Sequence, residues 1–272
     1  MKRITALFLC MSLCIASAVF LSGCSSNSTS STTLTEGPAD DAGYSTARET
    51  AEGQINNMLL TLSGGLAFTD AVTTPGLGKT YADSFSYHAG SGWWVSYDTQ
   101  EYDEYYYYYS DSLRFSADGS VQQTPDSLTD KMEYKYHMGL NSAEGSSYLY
   151  EFDFDCDWVF SGLDTDTLAI NGTGGYEYGL TYDNENYSFT LNDSYQNIKV
   201  AIDDEYPHSG TLSETLSGYL YTEEGYESAT YTIRITFHED YYSAYVADDT
   251  YYWEWEEEYP ANIGGYWAPP HP

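Results

Sequence analysis

Basic residues are scarce in this chain of 272 residues: nine Lys and Arg stand against 42 Asp and Glu, a formal net charge of −33. Nucleic-acid binding draws its affinity mainly from cationic contacts with phosphates, so that partner class is excluded. Charge-driven attachment to an anionic lipid surface is excluded for the same reason. Cysteine is scarce too. Of four cysteines, Cys10, Cys14 and Cys24 fall in the first 24 residues, and only Cys156 lies in the body. The body therefore forms no internal disulfide, and its stability must come from packing, which a chain of this length can supply. Catalytic signatures are missing as well. There is no metalloprotease helix motif and no Gly-x-Ser-x-Gly elbow. The five histidines (His88, His137, His208, His238, His271) show no ligand spacing. The run Gly76-Leu77-Gly78-Lys79-Thr80 imitates the end of a phosphate loop, but Thr73 stands where the motif needs its first glycine.

Long apolar runs are confined to the amino terminus. Lys2 and Arg3 precede an apolar stretch from Ile4 to Leu21, which ends in Leu21-Ser22-Gly23-Cys24. A plain secretory segment would end in an Ala-x-Ala-like site. Small residues directly before a cysteine resemble instead the lipobox of bacterial lipoproteins. The resemblance covers residues 1–24. It implies cleavage before Cys24, diacylglycerol on that cysteine, and residence at the cell envelope, on the outer membrane if the cell has two. Cleavage removes Lys2 and Arg3 and no acid, leaving seven basic residues against 42 acidic ones, a balance of −35.

The exported chain divides into three pieces. Residues 24–43 are rich in Ser, Thr, Gly, Asp and Pro and are expected to form a flexible tether, with a reach of roughly 25 Å. Residues 44–258 are expected to form one mainly-β domain. Residues 259–272 hold four of the eight prolines and form a Pro-rich tail. Within the domain one helix is expected over 45–63. Thr46-Ala47-Arg48-Glu49 fits a capping box. Ala47, Ala51, Ile55, Met58, Leu59 and Leu62 follow helical spacing, and Gly64-Gly65 ends it.

From about residue 92 the apolar period becomes two. Strands are predicted near 92–98, 103–109, 112–117, 131–138, 147–158, 166–172, 175–182, 186–192, 196–203, 210–221, 227–237, 241–247 and 250–257. Turn residues such as Ala117-Asp118-Gly119 and His238-Glu239-Asp240 separate them. No helical crossovers intervene, which predicts a large antiparallel β-meander with the helix packed on it, as a curved sheet, a barrel or two layers. In the run 149–158, Tyr150, Phe152, Phe154, Cys156 and Trp158 alternate with acids. Cys156 is therefore expected as a core residue.

Two features suggest binding. Asp153, Asp155 and Asp157 share a strand face about 7 Å apart, which suits a hard cation such as calcium. Aromatic residues are abundant, with 31 Tyr and six Trp. Trp93, Trp94, Tyr105, Tyr107, Trp253 and Trp255 are candidates for a platform that stacks on a glycan or grips a peptide. The expected function is a membrane-anchored, non-catalytic binding or structural module without a resident cofactor. One alternative is a carrier of lipid or another hydrophobic ligand. Its order of elements, a helix before a large antiparallel sheet, is similar to that of the lipoprotein-localisation factors. A glycan-active enzyme, with two carboxylates in a cleft, is the other.

Overall fold

The structure is a computed structural model of the chain. It describes residues 34–38, 48, 51, 52, 55, 85–101, 105–143, 149–182, 185–201, 204, 206–222 and 225–259. The expected signal segment, Cys24, most of the expected tether and the expected tail beyond Tyr259 lie outside the described residues.

The described residues form strands β1 (Thr35–Glu36), β2 (Ser86–His88), β3 (Trp93–Glu101), β4 (Tyr105–Ala117), β5 (Ser120–Gln122), β6 (Lys131–Ser142) and β7 (Leu149–Ser161). These continue into β8 (Thr167–Tyr182), β9 (Glu185–Ala201), β10 (Ser209–Thr222), β11 (Gly225–Phe237), β12 (Tyr241–Ala247) and β13 (Tyr251–Glu258). All belong to one sheet, ordered β1-β13-β12-β11-β10-β9-β8-β7-β6-β4-β3-β2, with β5 continuing the edge of β4. The chain is mainly β and its sheet is a large antiparallel meander, as the period-two pattern predicts. Every described pairing is antiparallel except that of β1 with β13.

Two expectations are corrected. Separate strands predicted near 166–172 and 175–182 are one strand, and so are those predicted near 186–192 and 196–203. Thr173 and Gly174, left between the two predicted strands, lie inside β8. The break predicted at 193–195 is absent from β9, which instead carries a bulge at Asn197. Asn197 has a φ of 49°, and the register with β8 and with β10 shifts beside it. The extra residue lets Tyr195 and Ile198 both face the core. Secondly, the segment read as a free tether supplies β1. Gly37 has no side chain where the Trp253 ring sits, and its N–H donates to the Tyr252 carbonyl at 2.8 Å. This covers part of the β13 edge. Of the segment predicted as helix, 45–63, only Arg48, Ala51, Glu52 and Ile55 are among the described residues, and these four have helical conformation. Ala51 and Ile55 within it are described, and both are buried in the core.

One face of the sheet is the inside. Its largest apolar cluster runs from Leu113 and Phe115 on β4, through Ile170, Ile198, Leu212 and Ile233, to Trp253 on β13. Such continuous burial is the main stabilising term, on the order of 1.5–3 kcal/mol for each large apolar side chain. Cys156 belongs to a second cluster with Tyr136, Met138 and Phe152. The strand pattern fixes everything else: residues that alternate with these form the outer face.

Candidate functional site

The outer face carries a trough where β3, β4, β6 and β7 lie side by side. Its volume is about 830 Å³, and it is lined by His88, Ser91, Trp93, Val95, Tyr97, Ser112, Arg114, Glu133, Lys135 and Asp157. A smaller hollow of about 420 Å³ shares Arg114 and Glu133 with it and extends past Lys131. Strand register explains the assembly. Trp93 follows the turn at Gly92, whose φ of 75° suits glycine, and it points outward. Arg114 pairs with Glu133 across β4 and β6. Ser112 pairs with Lys135, and Lys135 pairs with Asp157 on β7. Successive outer-face positions on four strands thus meet in a small patch.

Charge is ordered within it. Arg114 Nε donates to Glu133 Oε2 at 2.6 Å, and Lys131 Nζ lies 3.3 Å from Glu133 Oε1. Lys135 Nζ donates to Asp157. The hydrogen bond from Arg114 holds the Glu133 carboxyl below its usual range, against the opposing effect of burial, and the charge of Lys131 helps. The Arg114 guanidinium stands 4.8 Å over the Trp93 ring, with Lys135 Nζ at 5.8 Å. Three of the chain's nine basic residues gather here. Tyr97, at the rim, is 79 % exposed. The patch offers fixed donors, fixed acceptors and aromatic surface, with its own charges nearly balanced.

Of the six aromatic candidates, only Trp93 belongs to the trough. Trp94 is on the opposite face, where its indole N–H donates to the Gln123 carbonyl at 2.8 Å. Tyr105 is exposed at the start of β4, and Tyr107 faces inward beside Tyr109. Trp253 is buried on β13, and Trp255 lies nearby under the Arg48 guanidinium. The tyrosine run is thus split between faces: Tyr107 and Tyr109 pack inside, while Tyr106 and Tyr108 stand outside.

Asp153, Asp155 and Asp157 share the outer face as expected from their spacing. Asp157 is held by Lys135, and Asp153 accepts from Tyr108 Oη at 3.0 Å and faces His137 Nδ1 at 3.5 Å. Among the described residues, no three or more His, Cys, Asp or Glu side chains converge to hold a metal ion. Cys156 is buried, and desolvation pushes its thiol well above the usual range, as befits an unreactive core residue. Arg114, Glu133 and Lys135 were not distinguished by sequence reasoning. The available signal was their crowding: three of the chain's nine basic residues lie between 114 and 135.

Comparison with protein-family models, with curated proteins and with solved structures finds no match to this chain.

Proposed function

We propose that the chain is exported, lipidated on Cys24, and acts at the cell envelope as a non-catalytic module that binds a neutral glycan in the trough around Trp93. The observation that carries this reading is the meeting of an exposed aromatic ring, Tyr97, with ion-paired donors and acceptors on one outer patch. Sugars stack on flat amphipathic rings and hydrogen-bond to planar charged groups held in place. An anionic polymer would meet the repulsion of the whole acidic chain, whereas a neutral one would not. The segment 45–63 is read as a helix laid on the inner face. Ala51 and Ile55, one helical turn apart, are both buried there.

The test is affinity electrophoresis of the mature chain through gels containing neutral polysaccharides. Retardation that disappears in Trp93→Ala and Tyr97→Ala, and persists in the control Leu128→Ala, is the expected result. Leu128 is 70 % exposed and lies outside the trough. Equal mobility of all four proteins in every gel would end the glycan reading. Labelling with a fatty-acid analogue that reaches wild type but not Cys24→Ser tests the anchor.

A further inference from the structure

The trough holds only one end of a longer aromatic line on the outer face. Trp93, Val95, Tyr97, Thr99 and Glu101 are the outer positions of β3, and the last four pair with Ser112, Ser110, Tyr108 and Tyr106 on β4. The rings of Trp93, Tyr97, Tyr108 and Tyr106 therefore follow one another along two adjacent strands. From Trp93 to the level of Tyr106 the line runs for about 27 Å, at the rise of an antiparallel strand. Tyr97 and Tyr108 are diagonal neighbours, with backbones about 7–8 Å apart, a gap that aromatic side chains bridge. The Tyr106 and Tyr108 rings are 5.8 Å apart. Tyr106 is 39 % exposed.

Tyr108 adds a second observation. A Cβ on Gly139 would overlap its Cζ, Cε1 and hydroxyl, so the ring lies down across β6 instead of standing up from the sheet. Its hydroxyl donates to Asp153 Oδ2 on β7 at 3.0 Å, and the His137 ring stands 5.4 Å to its side. The ring is thus pinned at both ends, with its backbone on β4 and its hydroxyl over β7. One ring face is taken by Gly139, and the opposite face looks away from the sheet. A flat ring already held in place costs little ordering entropy when a ligand stacks on it.

Polar groups flank the rings along the whole line. Ser112 and Ser110 lie between them on β4. Lys135 and Asp157 sit beside the Trp93 end, and Asn141, Asp153 and Glu151 beside the Tyr106 end. The second group is rich in oxygen acceptors, which take hydrogen bonds from hydroxyls and repel an acidic sugar. Rings set in line along a strand fit a ligand whose own backbone is straight. A chain of β-1,4-linked pyranoses is an extended ribbon with alternating apolar faces. An α-1,4-linked chain curls and would leave the line after its first rings.

Building on the glycan reading of the trough, we infer that the trough and this line are one site for an extended, unbranched, β-1,4-linked neutral glycan lying along β3 and β4. Trp93 and Tyr97 hold one end of the ligand, and Tyr108 and Tyr106 hold the other. A disaccharide reaches only part of such a site, whereas a longer oligomer stacks on every ring.

The probes are cello-oligosaccharides of two to six glucose units, titrated into the mature chain by calorimetry, with malto-oligosaccharides of the same lengths as the curled counterparts. Affinity for the cello series should rise at least about tenfold from the dimer to the hexamer, as further rings are stacked. Maltohexaose should bind about tenfold more weakly than cellohexaose, or not at all. The gain with length should disappear in Tyr106→Ala and Tyr108→Ala and persist in Leu128→Ala. Tyr106 is exposed, so a melting temperature equal to wild type certifies that variant even where Tyr108→Ala folds poorly. Cellobiose and cellohexaose binding equally, or a length gain that survives in Tyr106→Ala and Tyr108→Ala, would overturn the extended site and leave the trough reading standing. Equal affinity for the two series would overturn the preference for a straight chain. No binding at any length would overturn the inference too, and retardation in the polysaccharide gels then decides separately whether the trough reading falls with it.

Discussion

Glu214 stands directly opposite Asp193 on neighbouring strands, two carboxyls facing the core of a chain with very few cations. Burial pushes Asp193 up to about 7, with Asp155 adding to the rise and the hydrogen bond from Tyr195 opposing it. Burial pushes Asp111 up to about 7 as well, against a hydrogen bond from Tyr134. Glu214 is raised by burial and by the charge of Asp193. In the unfolded chain these groups titrate near 4. Folded values above unfolded ones mean that the folded state prefers the neutral acids. That stability is fully present below about pH 4 and is lost as pH rises through about 7. The melting temperature should therefore fall across this window, and the fall should be shallower in Glu214→Gln and Asp111→Asn. A curve that climbs from acid to neutral pH in wild type would contradict the burial of these acids.

Gly172 and Gly174 are inward neighbours on β8 with different reasons for being glycine. Gly172 has a φ of 146°, and a Cβ there would collide with the Asp157 carbonyl. Gly172→Ala should cost about 2–3 kcal/mol by urea denaturation, whereas Gly174→Ala should stay within about 1 kcal/mol of wild type. Equal costs for the two would refute the distinction.

On the outer face, the Tyr108 ring covers Gly139, and its hydroxyl reaches Asp153 on the next strand. Tyr108→Phe removes only the hydrogen bond and should cost about 0.5–1 kcal/mol. Gly139→Ala displaces the whole ring and should cost more, about 1–3 kcal/mol. Chemical denaturation of the pair distinguishes them, and the reverse order would show that the ring is not seated as described.

Arg114→Lys keeps the charge but loses the planar group that lies over Trp93 and grips Glu133. Because the pair is partly exposed, stability should change by less than about 1 kcal/mol. Glycan retardation should nevertheless weaken, and tryptophan emission should shift as the ring of Trp93 is uncovered. Retardation equal to wild type would remove Arg114 from the site.

Thr35–Glu36 lies within the stretch expected as a tether and leaves ten residues between Cys24 and Thr35. Replacing Gly37 by Val should expel this strand, because the Trp253 ring occupies the space beside it. The expected readout is faster proteolysis between Cys24 and the domain, with the rest of the sheet intact. An unchanged cleavage rate would mean that β1 does not guard the tether.

Much of this molecule was legible in the residue order, because alternation is a local property. The run Phe152 to Trp158 shows its inner and outer faces without reference to any other strand, and Asp118-Gly119 declares its own tight turn. The acidic balance, the single body cysteine and the lipobox resemblance at Cys24 are also properties of the chain alone. Register is not local. Nothing near Gly174 in sequence announces that Cys156 and Asp193 flank it, or that Glu214 lies one strand further. Nor does anything near Trp93 announce Arg114, Glu133 and Lys135. The breaks predicted at 173–174 and 193–195 are absent from β8 and β9, because the partner strands that carry each run through are invisible from the sequence. Sequence determined which side chains face inward or outward; strand pairing, which brings together residues tens of positions apart, decided which of them meet.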